Sequence, residues 1–196
     1  MQTENKVLME QAKESLKDKW GLAIGTFLVY MLLAGSISAI PTIGGIISLL
    51  ISGPLSLGIT IFSLHISRNQ EARLEQIFEG FKEYARTLIT YLLVLLYVFV
   101  RLLLLIVPGI IACISYSMTF YILADDKTIE PKDAILKSKQ MMEGYKLKFF
   151  YLGLRFLVWG LLCILTLGIG FLWLFPWINT TIAKFYDDIK DNPAVV

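Results

Sequence analysis

Histidine and cysteine are scarce in this 196-residue chain: one histidine, His65, and two cysteines, Cys113 and Cys163. No CxxC or Cys/His spacing exists, so the sequence offers neither a metal set nor a redox pair, and both cysteines read as packing residues inside apolar runs. A lone histidine beside Arg68 reads as an interfacial residue rather than a ligand or base. Carboxylates are absent from the depths of every long apolar segment. A hydrolase needs a nucleophile with a base, a carboxylate pair or metal ligands, and ion-coupled carriers usually keep a carboxylate near the bilayer midplane. Composition therefore argues against an enzyme, and it implies no catalytic residue, no bound metal, no cofactor and no nucleic-acid partner.

What is present is apolar sequence. Hydrophobic residues make up 56% of the chain and charged residues 17%, the mean hydropathy is +0.66, and the charges gather in a few short stretches. These are the marks of a polytopic membrane protein in contact with a lipid bilayer. Residues 87–124 carry only Arg101 and hold Pro108-Gly109 near their middle. A straight helix of that length would reach about 57 Å, twice the ~30 Å hydrocarbon core, so the segment must fold back. Pro108-Gly109 is the expected turn.

The other apolar segments cover residues 21–38, 46–66, 150–165 and 171–183, which with the two halves of 87–124 makes six spans. Uncharged linkers with Pro41, Gly44 and Gly45, and with Gly168 and Gly170, close the first and third pairs into hairpins. Amphipathic helices are expected before each hairpin. The first, residues 4–19, sets Leu8, Ala12, Leu16 and Trp20 on one side. The second, 70–86, sets Leu74, Ile77, Phe78 and Phe81 opposite Glu71, Glu75, Glu79 and Glu83. The third, 131–149, aligns Ile135, Ser138, Met142, Tyr145 and Phe149. The mixed-charge N-terminal helix is unlike the basic n-region of a signal peptide, so the first span is expected to be retained.

Lysine and arginine fall on alternate sides of these spans. Lys6, Lys13, Lys17 and Lys19 precede the first; Arg68, Arg73, Lys82 and Arg86 separate the second from the third. Lys127, Lys132, Lys137, Lys139, Lys146 and Lys148 follow the fourth, Lys184 and Lys190 the sixth, and the three intervening turns have none. Basic residues collect on the cytoplasmic side, so both termini and the two long loops are expected there. Trp20, Lys82, Lys146, Arg155 and Trp173 are the expected interfacial anchors.

Three hairpin feet share a pattern: Ser15-Leu16-Lys17, Gly80-Phe81-Lys82 and Gly144-Tyr145-Lys146. The latter two extend to Phe78-Glu79-Gly80-Phe81-Lys82 and Met142-Glu143-Gly144-Tyr145-Lys146. The expectation is an all-α fold in one integral membrane domain, 1–196, built as a pseudo-threefold repeat of amphipathic helix plus hairpin. The units would be about 1–66, 67–126 and 127–196.

The segments Gly53-Pro54-Leu55-Ser56-Leu57-Gly58, Phe78-Glu79-Gly80-Phe81, Pro108-Gly109-Ile110-Ile111, Tyr121-Ile122-Leu123-Ala124-Asp125-Asp126, Met141-Met142-Glu143-Gly144-Tyr145-Lys146, Phe156 with Trp159, and Phe185-Tyr186-Asp187 run in order through nearly the whole chain. With them the protein resembles a family of small bacterial six-span integral membrane proteins grouped as a domain of unknown function. That family is distantly similar to the membrane domain of some glycerophosphodiester phosphodiesterases. The resemblance implies the six-span fold and a bacterial plasma membrane, and transfers no activity or catalytic residue. Arg155 and Trp177 depart from it, where a small polar residue and a tyrosine are expected.

Three groups of residues are candidate functional positions. Ser48, Ser52, Ser56 and Thr60 recur every fourth place from Gly44, which suits close helix packing with hydroxyls bonded to their own backbone, or else a polar path. Arg101 is a costly intramembrane charge: it either snorkels to the outer interface or faces inward to bind a lipid phosphate or an anionic ligand. Asp125 and Asp126 are the carboxylates nearest a span, and they read as a solvated loop start. Two functions stand: a non-catalytic assembly or regulatory component with a membrane protein partner, or a carrier or pore for a lipid-like or small anionic substrate. Oligomeric state is not readable.

Overall fold

The computed structural model describes residues 3–38 and 43–192. The described residues are helical almost throughout: α1 (Asn5–Ser15), α2 (Trp20–Ser38), α3 (Gly44–Ser67), α4 (Tyr84–Leu104), α5 (Ile106–Tyr116), α6 (Thr119–Asp125), α7 (Pro131–Met141), α8 (Lys146–Leu165) and α9 (Phe171–Asp191). Short 3-10 helices at Lys17–Lys19 and Leu74–Glu83 lead into α2 and α4. The expected linker at 39–45 lies partly outside the described residues.

Five stretches are long and apolar enough to cross a membrane: Lys17–Ser36, Gly44–Ser67, Leu74–Leu103, Ile106–Asp125 and Lys146–Leu165. The sixth expected span differs. The apolar part of α9, residues 171–183, measures about 20 Å, and Lys184, Asp187, Asp188, Lys190 and Asp191 fill its last turns.

The central turn also moves. The chain reverses at Leu105, whose backbone is extended between α4 and α5 (φ −163°, ψ 149°), not at Pro108-Gly109. Pro108 sits instead in the first turn of α5, where its missing N–H is one of the orphans of any helix start. Gly109 lets α5 fold against α4, since an added Cβ there would lie 3.0 Å from Leu102 Cα. The third amphipathic helix ends early, at Met141, because the chain bends through Gly144 in the left-handed region (φ 79°) before α8. Ile135, Ser138, Met142 and Tyr145 are nevertheless buried as the periodicity requires. Phe78, expected on the inner face of its helix, is 45% exposed, because a 3-10 turn rotates each residue further than an α turn and shifts the buried stripe.

The amphipathic segments lie on the protein itself. Residues 74–83 cross α3 at backbone contact: a Cβ on Gly58 would meet Ile77 O at 1.9 Å, and one on Gly80 would meet Pro54 O at 2.0 Å. These glycines belong to two separate motifs, Gly53–Gly58 and Phe78–Phe81, which thus dock on each other. α7 packs on α4, α5 and α6, with Ser138 Oγ donating to Ser115 O at 2.9 Å. α1 packs on α9, where Trp177 Nε1 donates to Met9 O at 2.9 Å. The largest core cluster joins Leu8 and Met9 of α1 to Met118, Ile122, Phe185 and Tyr186, and a second joins Leu16, Phe27, Phe62 and Ile77.

Candidate functional site: a charged junction of three helix ends

Arg68 caps the C-terminus of α3, where its charge complements the helix dipole. Its guanidinium makes a forked pair with Asp125 at the end of α6, Nη1 to Oδ1 at 2.7 Å and Nη2 to Oδ2 at 3.0 Å. The other edge takes Asp187 of α9, with Nη2 to Oδ1 at 2.7 Å and Nε to Oδ1 at 3.2 Å. Planar bidentate pairing of this kind is specific to arginine. Lys190 Nζ donates to Asp125 Oδ2 at 2.6 Å and Tyr186 OH to the same oxygen at 3.1 Å. Ser67 Oγ reaches Asp187 Oδ2 at 3.4 Å, and Lys184 donates to Ser67 O.

The side chains of Arg68, Asp125 and Asp187 retain 29%, 15% and 27% exposure. The bonds to Asp125, then those to Asp187, hold the Arg68 guanidinium above its ordinary pKa. Arg68, Asp125, Asp187 and Lys190 each have an opposite partner, while Lys184 bonds a backbone carbonyl. Such an arrangement fastens three helix ends; it leaves no carboxylate free to move a proton.

A second tie lies beside it. Lys148 of α8 pairs with Asp188 at 2.8 Å, both largely buried, Thr3 donates to Asp188, and Asn5 Nδ2 donates to Lys148 O at 2.8 Å. Arg86 at the foot of α4 bonds Glu83, Asp126 O and, at 2.9 Å, Ile129 O.

The candidate residues fall in separate places. Within the hydroxyl series, Ser52 Oγ donates to Ser48 O at 2.6 Å and Thr60 Oγ1 to Ser56 O at 2.8 Å, both inside α3. Arg101 turns back from the α4–α5 reversal: Nη1 donates to Tyr97 O at 3.3 Å and the guanidinium lies 5.5 Å from the Tyr116 ring centroid. Asp125 belongs to the ion network and is not the solvated loop start expected of it, because α3 and α9 end beside it. Asp126 does begin a loop, accepting from Thr128 Oγ1 at 2.7 Å, Thr128 N at 2.9 Å and Ile129 N at 3.2 Å. Those bonds, the Thr128 hydroxyl's first, hold its carboxyl below the ordinary value.

Among the expected anchors, Trp20 and Lys146 are half-buried, while Lys82, Arg155 and Trp173 are exposed. Arg155 and Trp177, the two departures, line one groove with α1. His65 Nδ1 lies 2.9 Å from Ile61 O. Among the described residues no group of His, Cys, Asp or Glu could hold a metal ion.

Sequence reasoning missed Arg68 and Asp187 as a pair. A signal was present: Thr119 precedes Asp125-Asp126 by the spacing with which Thr181 precedes Asp187-Asp188, and Arg68 closes the remaining hairpin. Opposite charges at corresponding helix ends were the clue.

The fold is thus an all-α bundle with several helices of membrane-spanning length, and the site is a structural ion network. The chain belongs to the family described as protein of unknown function (DUF975), whose model matches residues 1–107 and 94–193. No curated protein and no solved structure matched, and the comparisons give no support to similarity with glycerophosphodiester phosphodiesterases.

Proposed function

We propose that this protein is a non-catalytic, six-span component of the bacterial plasma membrane that assembles with or regulates another membrane protein, with both termini cytoplasmic. The observation that carries the reading is the saturation of the Arg68–Asp125–Asp187 junction. Arg68, Asp125, Asp187 and Lys190, at the ends of three helices, bond one another and hold the bundle. The hydroxyls of Ser52 and Thr60 bond their own helix, which favours packing over a polar path.

The threefold arrangement of the units is part of the same proposal. What supports it is that residues 74–83 pack on α3, α7 on α6, and α1 on α9, so that each amphipathic segment covers the preceding hairpin and the first covers the last. α9 serves as the sixth span, shortened because its charged end joins the junction.

Native mass spectrometry of the protein released from its own membrane without overexpression tests the assembly role. A stoichiometric second protein supports it. A lone chain with no second protein overturns it, whatever lipid the chain retains. A reporter fused near Gly168 that proved cytoplasmic would overturn the orientation.

A further inference from the structure

Arg155 stands nine residues after the start of α8, about 14 Å along the helix axis, on an exposed face. Among the described residues it has no carboxylate within ion-pair distance. It lines a groove of about 540 Å³ between α1 and α8 that also takes Lys6, Lys13 and Trp177. It lines as well a neighbouring cleft of about 770 Å³ with Glu4, Lys148 and Tyr151. Across the two, Lys148 is paired with Asp188 and Lys6 lies 4.0 Å from Glu10, which leaves the cations Lys13 and Arg155 against the one carboxylate Glu4. Below Arg155 the wall is apolar and open, with Val158 58% and Leu162 48% exposed. Lys13 Nζ lies 5.5 Å from the Trp177 ring centroid, so the groove floor is aromatic where the charge is held.

A guanidinium on a membrane-length apolar helix requires a counter-charge, since an uncompensated ion there is costly. Among the described residues no side chain supplies one. A ligand with an anion above and hydrocarbon below meets both halves of the groove at once: phosphate on Arg155, chain on the apolar wall. We propose that this α1–α8 groove binds one anionic phospholipid, its phosphate at Arg155 and Lys13 and an acyl chain along Val158 and Leu162. The site is independent of the assembly role.

The test uses the full chain, purified in neutral detergent, delipidated and exposed in turn to phosphatidylglycerol and phosphatidylcholine, with retained lipid counted by native mass spectrometry. One phosphatidylglycerol should be retained at least about fivefold better than phosphatidylcholine. Arg155→Gln should remove that preference and Arg155→Lys should keep part of it. Equal retention of the two lipids, or an Arg155→Gln protein that still prefers phosphatidylglycerol, overturns the proposal. So does displacement of the lipid by equimolar glycerol phosphate, which would make the site one for soluble anions. Should Arg155→Gln lose its helical circular dichroism, Lys13→Gln on the exposed side of α1 reads the same preference, which should fall. Chain placement is read by bromine-labelled acyl chains: these should quench the tryptophan emission of the native protein more than that of Trp159→Phe, and equal quenching overturns it.

Discussion

Between α2 and α3, and again between α4 and the α5–α6 stretch, the two successive helices live differently. In the first helices, 17% of the apolar window of Lys17–Ser36 and 11% of that of Leu74–Leu103 are buried, against 44% in Gly44–Ser67 and 50% in Ile106–Asp125. α8 and α9 follow suit, with α8 exposing hydrophobic side chains from Leu147 to Leu165 while α9 buries Thr180, Thr181, Phe185 and Tyr186. The second helices are the ones that amphipathic segments cover, and they hold buried hydroxyls that bond their own helix: Thr60, Ser63, Ser67, Ser115 and Thr181. A helix surrounded by protein tolerates polar groups that bond its own carbonyls, whereas one facing hydrocarbon gains nothing from them. The first helix of each pair thus serves as the outer wall, and the second as the core.

Backbone contact offers the sharpest way to break that contrast. Gly58→Leu in α3 drives a side chain into Ile77 and should cost about 4 kcal/mol or abolish folding, read as loss of monodisperse protein in detergent. Gly153→Leu in α8, where nothing lies within 4 Å of an added Cβ, should leave the melting temperature unchanged. Equal damage at both sites would dissolve the distinction.

Next comes the junction. Asp125→Asn strips Arg68 and Lys190 of a shared carboxylate and should cost about 1–3 kcal/mol. That is below the 3–5 of a fully buried pair because the Arg68 side chain keeps 29% exposure. A double-mutant cycle with Arg68→Gln should show that the two losses do not add. Thr60→Ala removes a hydroxyl bonded only within its own helix and should cost about 1 kcal/mol or less by thermal melting. A much larger loss would mean the hydroxyl serves something beyond its own turn. Lys17→Ala should change nothing measurable, its pair with Glu14 lying in the open with side chains 69% and 74% exposed.

The apolar helices were readable in advance because length and hydropathy are local properties: five stretches meet the requirement, and the turn at Leu167 and Gly168, both in the left-handed region, falls within the uncharged linker. Amphipathic periodicity also located Leu8, Ala12, Leu16, Ile135, Ser138 and Met142, all buried. The position of the central reversal was misjudged because Pro108 suits the start of a helix as well as a break between two. Arg68 and Asp187 were overlooked because each, read along the chain, is an ordinary charged residue following an apolar run.

Sequence alone determined which segments are apolar, where they stop and which faces of the first and third short helices turn inward, since 3.6-residue periodicity and hydrophobic transfer act on neighbours in the chain. Only the tertiary structure decided that Ile77 rests on Gly58, that α1 covers α9, and that Arg68 grips carboxylates 57 and 119 residues away. Those choices depend on how closely helices approach and which ends come level. Hydrogen bonds and ion pairs, effective over only a few ångströms, then reward the one packing that brings their partners together.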